Sequence, residues 1–174
     1  MTTIRLYVVD TSYFLELYRV DGCWEKEAFT AIQHKFSEAI DKKYSFYVPS
    51  PVIFELANHI ADVKNSLRRK TLANQLNNAV ISRIDNGNPW VLTPPGKPET
   101  IHELMAALTE STTRFATEFS DQKLGLTDTV VILEAERLKK NHPSGTLNKY
   151  CVHIWSRHRE LKSREPDNEP DPYV

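Results

Sequence analysis

The feature that most constrains this chain is the apolar run at its start, because nearly every residue from Ile4 to Val9 is β-branched or hydrophobic. A run of this kind suits a strand that is buried on both faces of a parallel sheet. Asp10, Thr11 and Ser12 follow at once, and residues of this type favour the start of a helix. The pattern therefore predicts a strand over residues 4–9 that passes directly into a helix.

The rest of the chain alternates between helical and strand-like patterns. Helical periodicity covers residues 13–18, 24–42, 51–61, 64–84, 100–119 and 128–140, and strand-like segments cover 44–48, 90–93 and 150–155. Strands separated by helices predict an α/β fold with a parallel sheet. Residues 1–164 are expected to form one domain. Residues 165–174 are polar and rich in proline, which predicts a flexible C-terminal tail.

Charge and cysteine content narrow the functional classes. The formal net charge of −1 argues against nonspecific coating of nucleic acid, so any such contact needs a local basic patch. Cys23 and Cys151 are not part of a Cys-x-x-Cys pair, and free thiols are expected. No signal-peptide pattern opens the chain, and no apolar run approaches the ~18 residues of a membrane span. A cytoplasmic protein that does not cross a membrane is expected.

Three acidic residues occupy positions where charge is unusual. Asp10 ends the first strand, Glu55 is the only acid in the apolar run 51–60, and Asp128 opens a helix. Each has a structural alternative: Asp10 could cap the following helix, and Asp128 could interact favourably with a helix dipole. Glu55 could form a salt bridge or lie in an exposed wedge between apolar faces. A parallel sheet would bring all three to one edge. Because gathering carboxylates is costly unless a cation offsets the repulsion, and because oxygen ligands select hard ions, Mg²⁺ or Mn²⁺ is predicted there.

The same segments resemble the PIN-domain family, best known for the ribonuclease toxins of VapB–VapC systems. A hydrophobic strand ends in Asp followed by Thr and Ser, from Val8 to Ser12. A strand, a short turn and a helix carrying an inward Glu correspond to residues 48–56, and Leu-Thr-Asp stands at a helix start in residues 126–128. The order and approximate spacing hold across about residues 4–161.

This resemblance implies a three-layer α/β/α sandwich with a short parallel sheet, and a metal-dependent endoribonuclease whose Mg²⁺ or Mn²⁺ is held by Asp10, Glu55 and Asp128. It also implies the toxin of a toxin–antitoxin pair, a homodimer and an antitoxin partner. Auxiliary roles at the site are expected for Thr11, Ser12, Asp121, Ser156 and His158. Contacts with RNA are expected for Arg68, Arg69, Arg157 and Arg159.

Two alternatives stay open at this point. His158 stands where the family has a fourth acid, so a catalytically degenerate PIN-like module that binds RNA or protein is one of them. The other is a different α/β enzyme, such as a phosphatase or a nucleotide-binding protein. It is disfavoured because the chain has only five glycines and no phosphate-binding glycine loop, and because Ser12 stands where a second acid would follow an Asp10 nucleophile.

Overall fold

The computed structural model describes residues 2–86, 90–93 and 101–169, with side chains described for all of these except 83–86 and 101–104. Within these ranges the strands are β1 (Thr2–Val9), β2 (Ser45–Pro49), β3 (Trp90–Thr93) and β4 (Asn148–Trp155). The α-helices are α1 (Thr11–Leu17), α2 (Lys26–Asp41), α3 (Ser50–Ala61), α4 (Ser66–Asn86), α5 (Ile101–Arg114), α6 (Leu126–Asn141) and α7 (Arg159–Lys162). A π-helical turn (Phe115–Phe119) and a 3-10 turn (Ser120–Gln122) connect α5 to α6.

The four strands form one parallel sheet in the order β3-β2-β1-β4. Val8 in β1 is in register with Tyr47 in β2 on one side and with Ile154 in β4 on the other. The carboxyl ends of these strands therefore meet at one edge of the sheet. This confirms the α/β class and the parallel sheet predicted from the sequence.

Helices cover both faces of the sheet. On one face, Phe36 of α2 packs against Phe46 and Trp155, and Tyr13 of α1 packs against the same indole ring. On the other face, α6 contacts β1, β2 and β4. This arrangement is compatible with a three-layer α/β/α sandwich. Because β1 is covered on both faces, its carboxyl half has no solvent-facing position, which explains the unbroken apolar run from Leu6 to Val9.

The helix boundaries differ from the sequence pattern in two informative places. The predicted helix over 100–119 is α-helical only to Arg114 and then widens into the π-helical turn. The predicted helix over 128–140 begins two residues earlier, at Leu126, so that Asp128 lies within its first turn.

Pro51 lies in the first turn of α3, where the missing backbone N–H costs nothing. The described helices include none that is long and apolar enough to cross a membrane.

Residues 165–169, which the sequence pattern assigns to the tail, pack along the outer edge of β4. The backbone N–H groups of Val152 and Ile154 donate to the carboxylates of Asp167 and Glu165, at 2.8 and 3.1 Å. Lys139 Nζ lies 2.7 Å from both oxygens of Asp167. These carboxylates occupy N–H groups that an outer strand would otherwise leave open to other chains. Residues 170–174 lie outside the described residues.

Asp167→Asn tests this edge contact. Burial would raise the pKa of Asp167, but hydrogen bonds from Lys139 and from the Val152 N–H outweigh it and hold the pKa below its ordinary value. The ionised form therefore stabilises the fold fully above the unfolded pKa of about 3.9, and this contribution is lost as pH falls through the folded pKa. We expect the variant to lose about 1 kcal/mol of unfolding free energy at pH 7, and to differ less from the parent below pH ~4.

Urea unfolding at the two pH values measures this difference. Asp21→Asn, which makes the same chemical change at an exposed turn, is the matched control. Equal losses in the two variants at pH 7 would show that the carboxylate of Asp167 does not hold the edge of β4.

Candidate active site

Asp10 directly follows β1, an inner strand, at the carboxyl edge of the sheet. Its backbone N–H donates to Trp155 O at 2.9 Å, which anchors it beside the end of β4. Its Oδ2 accepts three hydrogen bonds, from Ser12 N (3.3 Å), Ser12 Oγ (2.7 Å) and Ser156 Oγ (2.8 Å). No described residue donates to its Oδ1. Asp10 therefore caps α1, as one interpretation of the sequence has it, while its second oxygen stays available.

Glu55 reaches the same edge from α3. One face of this helix is buried through Val52, Leu56 and Ile60, and Glu55 lies half-buried beside that face. Its Oε2 accepts a 2.8 Å hydrogen bond from the hydroxyl of Thr11, the residue that follows Asp10. The side chain of Thr11 thus links Glu55 to the start of α1.

Asp128 completes the group from the first turn of α6. Its Oδ2 accepts a 2.7 Å hydrogen bond from the N–H of Gly125, so the dipole interaction expected at a helix start is present. The pKa of Asp128 is raised, chiefly by burial and further by the charges of Asp10 and Glu55; the Gly125 N–H and His158 oppose this rise. The charges of Asp10 and Glu55 therefore both act on the carboxylate of Asp128.

A metal ion also requires that its ligand atoms lie close together, and a different group of residues satisfies this requirement. Among the described residues, the set of three whose ligand atoms all lie within 4.8 Å of one another is His153, Glu165 and Glu169. The three candidate acids share an edge but do not form such a set. In the His153 set, Lys162 Nζ lies 2.6 Å from Glu165 Oε2 and 3.2 Å from Glu169 Oε2. The two glutamates of this set are therefore already paired with the ammonium group of Lys162.

The auxiliary residues predicted from the sequence separate into two groups. Ser12 and Ser156 hold Asp10, and their hydroxyl oxygens are 3.5 Å apart. His158 lies at the same edge, since its N–H donates to Ser156 Oγ at 2.9 Å and its Nδ1 is 3.9 Å from Asp128 Oδ2. Asp121 is exposed on the 3-10 turn, and no hydrogen bond or ion pair among the described residues joins it to this group.

Arg68 and Arg69, which were predicted to contact RNA, donate hydrogen bonds to backbone carbonyl groups. Arg68 Nη2 donates to the carbonyl oxygens of Tyr18 and Arg19 at 3.0 Å, just after the C-terminus of α1. Arg69 Nη1 donates to Val63 O at 2.7 Å. Arg159, in contrast, is exposed at the start of α7.

Arg157 has a structural role that depends on Glu16, a residue that the sequence interpretation missed. Glu16 is fully buried, and its Oε1 makes a close ion pair with Arg157 Nη1. The backbone N–H of Arg157 donates to Ser12 Oγ at 2.8 Å, so the same residue also supports the hydroxyl that holds Asp10. Glu16 is a lone acid among the apolar residues of α1, which is the pattern that singled out Glu55.

Comparison with known proteins adds no family assignment. No protein-family model matches the chain, and no curated protein matches it. The resemblance to PIN domains therefore stays a prediction, and the candidate site is judged on its geometry and chemistry.

Ser156→Ala tests whether the hydroxyls hold Asp10. Ser156 is fully buried, and its removal leaves Asp10 Oδ2 one donor short and the N–H of His158 without its acceptor. We expect a loss of about 1–3 kcal/mol in the free energy of unfolding, measured by urea denaturation. Ser37→Ala, at an exposed position of α2, should change it by less than about 0.5 kcal/mol. If both variants behave alike, the hydrogen bonds to Asp10 do not stabilise the fold.

Proposed function

We propose that this protein is a metal-dependent endoribonuclease in which Asp10, Glu55 and Asp128 together hold a Mg²⁺ or Mn²⁺ ion. The observation that carries this proposal is the gathering of three acids from three separate elements at the carboxyl edge of a parallel sheet. Ligands bind at such edges in open α/β folds. Burial is the main cause of the raised pKa of Asp128, and the charges of Asp10 and Glu55 add to it. A divalent cation would offset the part that comes from these two charges.

The donor chemistry fits a hard cation. Each acid has one oxygen in a hydrogen bond to the protein, and no described residue donates to the other oxygen, Oδ1 of Asp10, Oε1 of Glu55 or Oδ1 of Asp128. An all-oxygen donor set favours Mg²⁺ or Mn²⁺. When bound, such an ion lowers the pKa of a coordinated water and stabilises charge on a phosphate.

The protein's own residues would orient the acids and the substrate. The hydroxyls of Ser12 and Ser156 restrict the rotation of the Asp10 carboxylate, and Thr11 does the same for Glu55. His158, beside Asp128, offers a nitrogen where a fourth carboxylate would add negative charge. We therefore propose one metal ion at this edge and a phosphate contact for His158. The products implied by the resemblance are a 5′-phosphate and a 3′-hydroxyl.

A second candidate function is a PIN-like module without catalysis that binds RNA or protein. Two observations favour it. The ligand oxygens of the three acids do not all lie within 4.8 Å of one another, and the imidazole of His158 stands in place of an acid. The toxin role, the antitoxin partner and the homodimer are proposals that rest on the resemblance alone. A cytoplasmic location is proposed in keeping with the free thiols of Cys23 and Cys151.

Cleavage of RNA with and without metal separates the two candidates. The parent protein is expected to cleave single-stranded RNA in Mn²⁺ or Mg²⁺ and to lose activity in EDTA. Loss of a residue that only orients a metal ligand typically costs 10–100-fold, so Asp10→Asn, Glu55→Gln and Asp128→Asn should each reduce the rate by more than about 100-fold. Titration calorimetry with MnCl₂ should show weaker binding in all three.

Asp62→Asn is the matched control, because it makes the same change at an exposed residue after α3, away from the candidate site. It should keep both cleavage and Mn²⁺ binding. If Asp10→Asn cleaves RNA as fast as the parent does, the activity does not come from this site. If the parent binds RNA but cleaves none with either ion, the binding module is the better description.

A further inference from the structure

A polar cavity lies at the C-terminal end of α1, the opposite end of the helix from Asp10. Its volume is about 230 Å³. The described residues that line it are Leu17, Tyr18, Arg19, Arg68 and Gln75. Two of these are arginines and none is acidic, in a chain whose net charge is −1. The cavity is therefore a local concentration of positive charge, of the kind that the overall composition does not reveal.

Arg68 is held in place without being neutralised. Its Nη2 is used by the carbonyl oxygens of Tyr18 and Arg19, and these bonds leave Nη1 and Nε free of that contact. No ion pair with a carboxylate is found for Arg68 in the described part of the chain. Its guanidinium group thus keeps a full charge at a fixed position, which suits binding of a phosphate.

Arg19 is positioned by aromatic rings rather than by a carboxylate. Its Cζ lies 5.3 Å from the ring centre of Phe29 and 6.0 Å from that of Trp24. The residue is exposed, and no carboxylate within the described ranges pairs with it. Cation–π contacts of this type orient a guanidinium group while leaving its N–H donors open to an external anion.

Trp24 adds an aromatic surface beside Arg19, which also lines the cavity. It is 37% exposed, whereas Trp90 and Trp155 are 7% and 2% exposed and belong to the core. Its ring meets Phe29 edge-on, at 82° between planes. Proteins that bind single-stranded nucleic acids combine positive charge with exposed aromatic rings, because the cation binds a backbone phosphate and the ring stacks on a base.

We propose that this cavity is a nucleotide subsite, in which Arg19 and Arg68 bind a backbone phosphate of single-stranded RNA and Trp24 stacks on an adjacent base. Arg19 lies two residues beyond the end of α1 and nine residues after Asp10. Nine residues span roughly 14 Å at the rise of an α-helix, so the subsite would bind RNA away from the acidic edge. The inference rests on the proposed function for its substrate class. An acidic protein segment would also match two arginines, but it gives no role to the exposed ring of Trp24.

Binding of a fluorescein-labelled, single-stranded RNA 12-mer of mixed sequence tests the subsite. Anisotropy is measured in EDTA, where no metal-dependent cleavage occurs, over a series of salt concentrations. Arg19→Gln should weaken binding and reduce the slope of log K against log salt by about 0.7, the loss of one phosphate contact. Trp24→Ala should weaken binding by about tenfold and leave the slope unchanged, because stacking releases no counterions.

Lys70→Gln is the matched control, since it removes one positive charge from an exposed position of the same helix as Arg68 without lining the cavity. Its effect should be less than a third of that of Arg19→Gln. Equal effects of the two variants would overturn the subsite. So would Arg19-dependent binding of a poly-glutamate peptide together with RNA binding that is indifferent to Arg19→Gln, because the partner would then be an acidic protein. Thermal melts check that both test variants are folded.

The outcome is separable from that of the proposed nuclease activity. RNA binding in EDTA that depends on Arg19 and Trp24, without any metal-dependent cleavage, would support the subsite and overturn the nuclease. Cleavage that depends on Asp10, with the same KM for RNA in the parent and in Arg19→Gln, would support the nuclease and overturn the subsite.

Discussion

The hydrogen bonds to one oxygen of Asp10 connect the parts of this structure on which the candidate site depends. Ser12 joins Asp10 Oδ2 to the first turn of α1, and Ser156 joins it to the segment after β4. The backbone N–H of Arg157 supports Ser12, and its guanidinium group pairs with the buried Glu16 near the end of α1. A short helix is thereby held at both ends by residues about 145 positions away. The other oxygen of Asp10 accepts no hydrogen bond from the described residues.

Two clusters of acidic side chains, one near the C-terminus and one at the candidate site, differ in how their negative charge is balanced. The buried glutamates near the C-terminus are neutralised by Lys162 and by donors from the core, including the indole N–H of Trp155. They hold residues 165–169 against the sheet. Asp10, Glu55 and Asp128 have neutral hydrogen-bond donors instead, and the pKa of Asp128 rises through burial and through the nearby carboxylates. Carboxylates that keep mutual repulsion are better placed to gain from a divalent cation than carboxylates already paired with lysine.

The arginines also differ in whether their guanidinium groups are used inside the fold or stay accessible. Arg157 pairs with a buried carboxylate, and Arg69 donates to a backbone carbonyl. Arg68 uses one of its guanidinium nitrogens to donate to carbonyl oxygens at the end of α1. Arg19 is positioned by two aromatic rings. A count of basic residues along the sequence cannot distinguish these cases, since each depends on what lies beside the side chain in the fold.

Much of the architecture followed from local patterns. The lone acid of an apolar helix singled out Glu55, whose role stays a prediction. The apolar run before Asp10 predicted a buried strand, and the alternation of helical and strand-like segments predicted a parallel α/β sheet. These predictions work because hydrophobic burial and helix periodicity act over short stretches of chain. The sequence alone could not decide which acids meet, that Asp121 stays at the surface, that Arg157 pairs with Glu16, or that residues 165–169 cover β4. Those outcomes depend on hydrogen bonds and ion pairs between residues far apart in the chain, and only the tertiary structure brings such partners together.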